Sequence, residues 1–185
     1  YADAVPMPRA QPGRWVVGTV KTMADKYGID TLIQAFALLL ASLQASDPDM
    51  ARQLHLRLVG DGPQMSALKQ LAAQLGVAER VQFVGHVDHA QVPHELAQLD
   101  VYVALSRLDS ESFGVAIIEA GAAARPVVVS DAGGLPEVVV DGVTGLVVPR
   151  ENPQAAANAI ERLLRDADLR QRMAAAARQH VAQHY

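Results

Sequence analysis

Two glutamates, Glu111 and Glu119, flank a Phe-Gly step and an apolar run in the stretch DSESFGVAIIEA. Paired carboxylates can serve as the acid and the nucleophile of a glycosidase, and catalytic pairs in such enzymes lie roughly 5 to 9.5 Å apart. On one regular helix, however, the eight positions from Glu111 to Glu119 would separate the two side chains by ~12 Å of rise. The spacing therefore argues against a catalytic pair of that kind.

A helix that begins near Phe113 gives the two carboxylates another use. Its free amides and the positive end of its dipole can hold phosphate or sugar oxygens, and Gly114 lets a ligand approach the backbone. Glu119 would then lie about two turns into the helix, within reach of hydroxyls on a ligand that crosses the helix start. Two carboxylates around an anion-binding helix end suit a ligand with a phosphate centre and hydroxyls at both ends, such as a nucleotide sugar.

The elements that must position these residues alternate along the chain. Short β-branched runs predict strands at Trp15 to Gly18, Leu54 to Val59, Val81 to Val84, Val101 to Leu105, Pro126 to Ser130 and Gly145 to Val148. Helical patterns lie at about Ile29 to Leu43, Pro63 to Leu75, a short stretch opened by Pro93, Phe113 to Ala123, a turn near Pro136, Pro153 to Arg165 and Leu169 to His184. This alternation predicts an α/β fold with a doubly wound, Rossmann-like parallel sheet.

Length and composition restrict the function classes. The chain has 185 residues, half of them hydrophobic, which predicts one domain, over 14–185. The proline-rich segment YADAVPMPRAQPG predicts an irregular lead-in over 1–13. No stretch approaches the uninterrupted apolar length of a membrane span. The net charge of −4 argues against non-specific binding of nucleic acid, and the lack of cysteine excludes disulfides and thiolate metal sites. We expect a cytoplasmic protein.

Glycine and polar residues collect directly after the predicted strands, in the segments GTVK, GDGP, GHVDH, SRLDSESFG and SDAGGLPE. Ligands of open α/β sheets bind outside the carboxyl ends of the strands. Turns and helix caps explain part of this pattern, but they do not explain Glu111 and Glu119.

Several blocks resemble one enzyme family. ESFGVAIIEA, followed by RPVVVSDAGGLPEVVVDGVTGLVVP, resembles the signature of the large retaining glycosyltransferase family, group 1, called family 4 in sequence classifications. LRLVGDGP, LGVAERVQFVGHV and GTVKTMADKYGIDTLIQAF resemble its other blocks in the same order. The resemblance covers nearly the whole chain and corresponds to the C-terminal, donor-binding half of a two-domain GT-B-type enzyme.

The resemblance implies an activity and partners. The complete enzyme would transfer a sugar from a nucleoside diphosphate to a glycan, lipid-linked or small-molecule acceptor, as in polysaccharide biosynthesis. The acceptor site would lie on a missing N-terminal half, and the full-length enzyme could associate peripherally with a membrane. The isolated chain would bind nucleotide but transfer no sugar.

The resemblance also assigns roles to residues. It implies that Glu119 contacts the ribose and Glu111 the hydroxyls of the transferred sugar. The amides of Phe113, Gly114 and Val115 would contact the sugar and the phosphates.

Further roles follow for two other segments. The segment Val84 to Val87 would line the base pocket, largely through its backbone. Gly18 and Thr19 would lie at the nucleotide sugar. Thr19 stands where many members have an arginine, so Lys21 is the candidate replacement, and Lys26 matches the family's second phosphate-binding cation.

The two lysines and Glu111 form the predicted catalytic set. Lys21, Lys26 and the helix-start amides would stabilise the negative charge that develops on the leaving diphosphate. We therefore expect no metal and no cofactor. A UDP-sugar is the preferred substrate, although no side chain in the sequence identifies the base. The departures Leu105, Ser112 and Ala124, which replace a common proline and two common glycines, are expected to be structural only.

Three other groups of polar residues could indicate a metal or ribose site. Asp47 and Asp49 have the spacing of a metal site but lie at the wrong end of the sheet, so a solvated turn is expected. Asp61 could bind a ribose or cap the next helix. The histidines His86, His89 and His94, with Asp88 among them, have irregular spacing for a metal site, and turn and cap roles are expected for them.

Two other functions remain open at the level of the sequence. A dinucleotide-dependent oxidoreductase needs a G-x-G-x-x-G fingerprint, and none follows the first strand. A non-catalytic nucleotide-sugar-binding module would keep the same pocket, and the sequence does not exclude it.

Overall fold

Six parallel strands form one sheet in the computed structural model, which describes residues 12–110 and 114–185. The strands are β1 (Trp15–Val20), β2 (Leu54–Val59), β3 (Val81–Gly85), β4 (Val101–Ala104), β5 (Val127–Ser130) and β6 (Gly145–Val148). Their order across the sheet is β3-β2-β1-β4-β5-β6. The predicted doubly wound parallel sheet is confirmed, and each predicted strand is present.

Helices connect the strands. They are α1 (Ile29–Ser46), α2 (Pro48–Gln53), α3 (Met65–Gln74), α4 (Val92–Ala97), α5 (Val115–Ala122), α6 (Leu135–Val138), α7 (Pro153–Arg165) and α8 (Ala167–His184). The sequence analysis missed α2. Asp47, expected in a solvated turn, caps this helix instead, because its carboxylate accepts a hydrogen bond from the Met50 amide at 3.2 Å.

The sheet is covered on both faces, and alternate residues of a strand point to opposite sides. Val17 of β1 belongs to a core cluster with residues of α1, α3 and α7, whereas its neighbour Val16 belongs to a second cluster with residues of α4 and α5. Leu169, in the first turn of α8, belongs to the first cluster, and α8 also packs against α5. Helices therefore cover both faces of the sheet.

Helix α1 is the one described helix that is long and apolar enough to cross a membrane by length and composition, with a mean hydropathy of 1.4. Its apolar sequence is not uninterrupted, because Asp30, Gln34 and Gln44 lie within it. Half of the helix is buried inside the domain, including Leu32, Phe36 and Leu43, and the helix packs against α7. In this fold α1 is a core helix.

The order in which the strands are added to the sheet changes direction between the neighbouring strands β1 and β4. From β1 the chain continues outward to β2 and β3, whereas β4 is followed on the other side by β5 and β6. At such a topological switch point the loops diverge and leave a crevice outside the carboxyl ends of the two central strands. Helices α1 and α5 follow β1 and β4, so both helices begin at this edge of the sheet.

Ala124 has an unusual backbone conformation. It lies in the turn after α5 with a φ of 54°, in the left-handed region that favours glycine. The departure from the common glycine at this position therefore introduces local strain.

Candidate functional site

Lys21 and Lys26 come together at the crevice on one aromatic ring. Lys21 is the first residue beyond β1, and its amide donates to the Val59 carbonyl at 2.9 Å. Its Nζ lies 4.5 Å from the centre of the Tyr27 ring, and Nζ of Lys26 lies 4.9 Å from the centre of the same ring. Two cations that the sequence suggested for a phosphate group are thus neighbours in space.

Glu119 approaches the same crevice from α5. The helix begins at Val115, so Glu119 lies four residues further on, about one turn into the helix. The helix thus begins two residues after the predicted start near Phe113, and Glu119 lies about one turn into it rather than the predicted two. The Glu119 side chain is 14% exposed, and its Oε1 lies 3.6 Å from Nε2 of His89.

Two opposing effects act on the pKa of Glu119. Burial raises the pKa of Glu119, while the positive charges of His89 and Lys21 act in the opposite direction. Lys21, His89 and Glu119 follow β1, β3 and β4 respectively. Loops from both sides of the switch point therefore meet around one carboxylate.

Gly114 caps the N-terminus of α5. Its φ is 56°, and a Cβ at this position would lie 3.1 Å from Cγ2 of Val138. The fold itself requires glycine here, apart from any approach of a ligand. Ile117 donates the first hydrogen bond of α5, to the Gly114 carbonyl at 2.8 Å, so the amides of Val115 and Ala116 have no partner within the helix. Val115 is 58% exposed, and amides at a helix start can bind an anion.

The loop that leaves β4 is tied to its neighbours on the β1 side. The Arg107 side chain, which is 15% exposed, forms ion pairs with Asp25 and Asp30, and its amide donates to the Lys26 carbonyl at 3.0 Å. These contacts fix the loop after β4 to the short 3-10 turn Asp25–Tyr27 that carries Lys26.

The same loop is also tied to the β5 side. Asp109 accepts a hydrogen bond from the Gly133 amide at 3.1 Å and forms an ion pair with Arg150 at 2.8 Å. The Gly133 hydrogen bond, followed by Arg150, lowers the pKa of Asp109. Residues 111–113 lie outside the described residues, so the roles of Glu111 and Phe113 stay predictions.

Gly18 and Thr19 lie inside β1, although the sequence analysis placed them near the ligand after a strand ending at Gly18. The strand continues because Gly18 pairs with Arg57 on one side and Tyr102 on the other. A Cβ on Gly18 would collide with the Arg57 carbonyl, so packing explains this glycine. Thr19 is 1% exposed, and its buried hydroxyl has no hydrogen-bond partner among the described residues. Contact of Gly18 and Thr19 with a nucleotide sugar stays a prediction.

The predicted base-pocket segment lies at the end of β3. Val84 and Val87 are half-buried, and Val87 packs against the second core cluster. The carbonyl of Gly85 between them accepts a hydrogen bond from the Gly60 amide at 2.8 Å. The Gly85 carbonyl therefore already takes part in a hydrogen bond within the fold, and contact of this segment with a base stays a prediction.

The remaining polar candidates have structural roles. Asp61 accepts a hydrogen bond from the adjacent Gly62 amide at 2.7 Å, whereas α3 begins after Gln64 without a side-chain cap, so the cap hypothesis for Asp61 was wrong. His86 lies 4.0 Å from Asp88 on the surface. Within 12–110 and 114–185, no group of three or more histidine, aspartate or glutamate side chains could hold a metal ion.

The sequence analysis missed Tyr27 and Arg107 as parts of this site, and it expected a turn or cap role for His89 rather than a contact with Glu119. A signal for Tyr27 was present, since the aromatic residue directly follows Lys26 in the segment DKYG. The contacts of Arg107 and His89 join residues far apart in the chain, and no local pattern indicates them.

Comparisons with known proteins agree on one family. The sequence model described as "Glycosyl transferases group 1" matches residues 6–180. A GDP-mannose-dependent alpha-(1-6)-phosphatidylinositol monomannoside mannosyltransferase of Mycolicibacterium smegmatis is 37% identical over 158 residues, which cover 83% of this chain and 39% of that protein.

Solved structures give the same result. The crystal structure of Alr3699/HepE from Anabaena in complex with UDP has a TM-score of 0.81 at 29% identity and is matched over 92% of this chain and 44% of that one. The C-terminal domain of a glycosyl transferase group 1 family protein (LpcC) from Francisella tularensis has a TM-score of 0.80 at 26% identity, with 94% of this chain and 87% of that domain covered. The chain thus spans about two fifths of the full-length relatives and nearly all of an isolated C-terminal domain.

Proposed function

The chain belongs to the group 1 glycosyl transferases, and we propose that it is the donor-binding half of a retaining member of that family. The observation that carries this proposal is the meeting of Lys21, Lys26 and Glu119 at the switch-point crevice. Cations for a diphosphate and a carboxylate for hydroxyls are the groups that a nucleotide sugar requires.

Each group has a proposed task. Lys21 and Lys26, with the first amides of α5, bind the diphosphate, and Glu119 accepts hydrogen bonds from the ribose hydroxyls. Glu111 accepts hydrogen bonds from the hydroxyls of the transferred sugar. Val84 to Val87 lies along the base.

The proposed reaction breaks one bond and forms one bond at the anomeric carbon of the sugar. The bond between the anomeric carbon of the sugar and the diphosphate oxygen breaks. The oxygen of the acceptor hydroxyl bonds to the anomeric carbon from the face that the diphosphate leaves, and the hydroxyl proton passes to an oxygen of the departing diphosphate. Negative charge develops on the leaving diphosphate, and the two lysines and the helix start stabilise it because they are already oriented. The proposal needs no metal ion, since these groups supply the positive charge.

The acceptor belongs to the other half of the enzyme in this proposal. Relatives are more than twice as long as this chain, and a complete site would lie in the cleft between two halves. We propose a cytoplasmic enzyme that acts on a glycan, lipid-linked or small-molecule acceptor, with peripheral membrane association where the acceptor is a lipid.

The nucleotide is proposed to be UDP. The Anabaena structure contains UDP, whereas the mycobacterial relative is named for GDP-mannose, so both bases belong in the test. Thermal unfolding of the chain should be followed with UDP, GDP, ADP and their sugars. A ligand present at 100 times its dissociation constant stabilises the folded state by about 2.7 kcal/mol. If none of these compounds raises the unfolding temperature, the donor-binding proposal fails.

A further inference from the structure

Tyr27 is placed to act on both lysines at once. The distances of 4.5 Å and 4.9 Å from its ring centre to the two Nζ atoms lie within the range of cation–π attraction. The two amino groups can be no farther apart than the sum of those distances. One ring therefore brings together two like charges that would otherwise repel each other.

The ring itself is held in place. Tyr27 is half-buried and packs against the core cluster formed with α1, α3 and α7. The residue before it, Lys26, is fixed through its carbonyl by the Arg107 amide, and the Arg107 guanidinium pairs with Asp25 and Asp30 on either side. The aromatic face is thus a rigid support for two flexible side chains.

A rigid support matters because a lysine has a long stem with many rotamers. Ordering such a stem costs conformational entropy, and a binding site that orders it in advance avoids that cost when the ligand arrives. A diphosphate uses both cations together, whereas a monophosphate presents a single phosphate group to them. The support should therefore increase the affinity for a diphosphate more than the affinity for a monophosphate.

We propose that Tyr27 is a positioning residue that holds the amino groups of Lys21 and Lys26 for the diphosphate of the donor. The inference rests on the proposed function, since it takes the two lysines as the phosphate-binding groups. Tyr27 acts through the lysines, and the aromatic face is the part of the side chain that matters.

Calorimetry on Tyr27→Phe and Tyr27→Leu tests the role of the ring, with UDP and UMP as probes, or GDP and GMP if the nucleotide panel selects guanine. Tyr27→Phe keeps the aromatic face and should bind the diphosphate within twofold of the parent. Tyr27→Leu should bind the diphosphate about tenfold more weakly and the monophosphate within twofold of the parent. Equal weakening for both nucleotides, or loss of affinity in Tyr27→Phe, would overturn the proposal.

The lysine variants separate this inference from the proposed function. If Lys21→Ala and Lys26→Ala bind the diphosphate like the parent, the phosphate role of the lysines fails, and the Tyr27 inference fails with it. If both lysine variants bind weakly while Tyr27→Leu binds like the parent, only the Tyr27 inference fails.

A measurement without nucleotide covers the case in which Tyr27→Leu does not fold. The chain has three lysines, Lys21, Lys26 and Lys69, so reductive methylation with ¹³C gives few NMR signals to assign. In the parent and in Tyr27→Phe, the methyl protons of Lys21 and Lys26 should be shifted upfield by the ring current. Chemical shifts equal to those of a free methylated lysine would overturn the inference.

Discussion

His89 Nε2 lies 3.6 Å from Glu119 Oε1 at the carboxyl edge of the sheet. His89 belongs to the turn after β3, and Glu119 belongs to the helix after β4, so the contact spans the switch point. The carboxylate that the proposal assigns to the ribose therefore already has a polar neighbour, which a bound nucleotide would share or displace.

Glu119→Gln should weaken nucleoside diphosphate binding by roughly 1 to 3 kcal/mol, because a charge-assisted hydrogen bond to the ribose becomes a neutral one. Glu111→Gln should leave the plain nucleotide nearly unchanged and weaken only the nucleotide sugar. Calorimetry with both ligands measures the difference. Equal effects of the two substitutions on both ligands would contradict the division of roles.

The stability of the chain should depend on pH through Glu119. Because burial raises its pKa in the folded state, its contribution to stability is full below the pKa of an unfolded glutamate and is lost as pH rises through the folded pKa. Glu119→Gln should therefore be more stable than the parent near neutral pH, and the difference should shrink as pH falls. Urea unfolding of both proteins from about pH 8 to about pH 4 measures it. A difference that is constant over this range would count against the effect of burial.

Lys21→Ala and Lys26→Ala should each weaken UDP binding more than UMP binding. The double variant should also have a flatter dependence of UDP affinity on salt, since two charges that attract the diphosphate are gone. Lys69→Ala is the matched control, because Lys69 lies on α3 near the Phe83 ring and has no proposed contact with the donor. If Lys21→Ala and Lys26→Ala behave like Lys69→Ala, these two lysines are solvated surface charges.

Ala124→Gly should stabilise the fold by about 1 kcal/mol, because it removes the strain of a side chain at positive φ. Ala123→Gly is the control. Ala123 has an ordinary φ of −78°, so glycine there should cost about 0.5 to 1 kcal/mol through backbone entropy. Urea unfolding of the two variants should give shifts of opposite sign, and shifts of the same sign would exclude strain at Ala124.

The isolated chain should bind a donor nucleotide but form no glycosylated product. The proposal places the donor groups within this chain and the acceptor site on the other half, and positioning of the acceptor can account for several kcal/mol of the barrier. The assay uses a donor that the chain demonstrably binds and a panel of acceptors. Turnover beyond slow donor hydrolysis would place the acceptor site within these residues.

Local sequence patterns were enough to predict most of the strands and helices. Runs such as VVVS and LHLRLV carry the β-branched and apolar residues of buried strands, and the helix α7 over Pro153–Arg165 has the limits that its amphipathic pattern predicts. Helix α2 was missed because it has six residues and little periodicity, and its start depends on the cap formed by Asp47. The extension of β1 over Thr19 and Val20 was also missed, because it depends on pairing with β2.

The sequence by itself determined the α/β class, the order of the elements and the family, because strand and helix signals are local and the family blocks occur in a fixed order. Only the tertiary structure decided which side chains meet. The placement of Lys21 and Lys26 on the Tyr27 ring and the contact of His89 with Glu119 arise because the sheet order brings the ends of separate strands to one crevice. The requirement for glycine at position 18 also depends on the tertiary structure, because a Cβ there would collide with the carbonyl of a neighbouring strand.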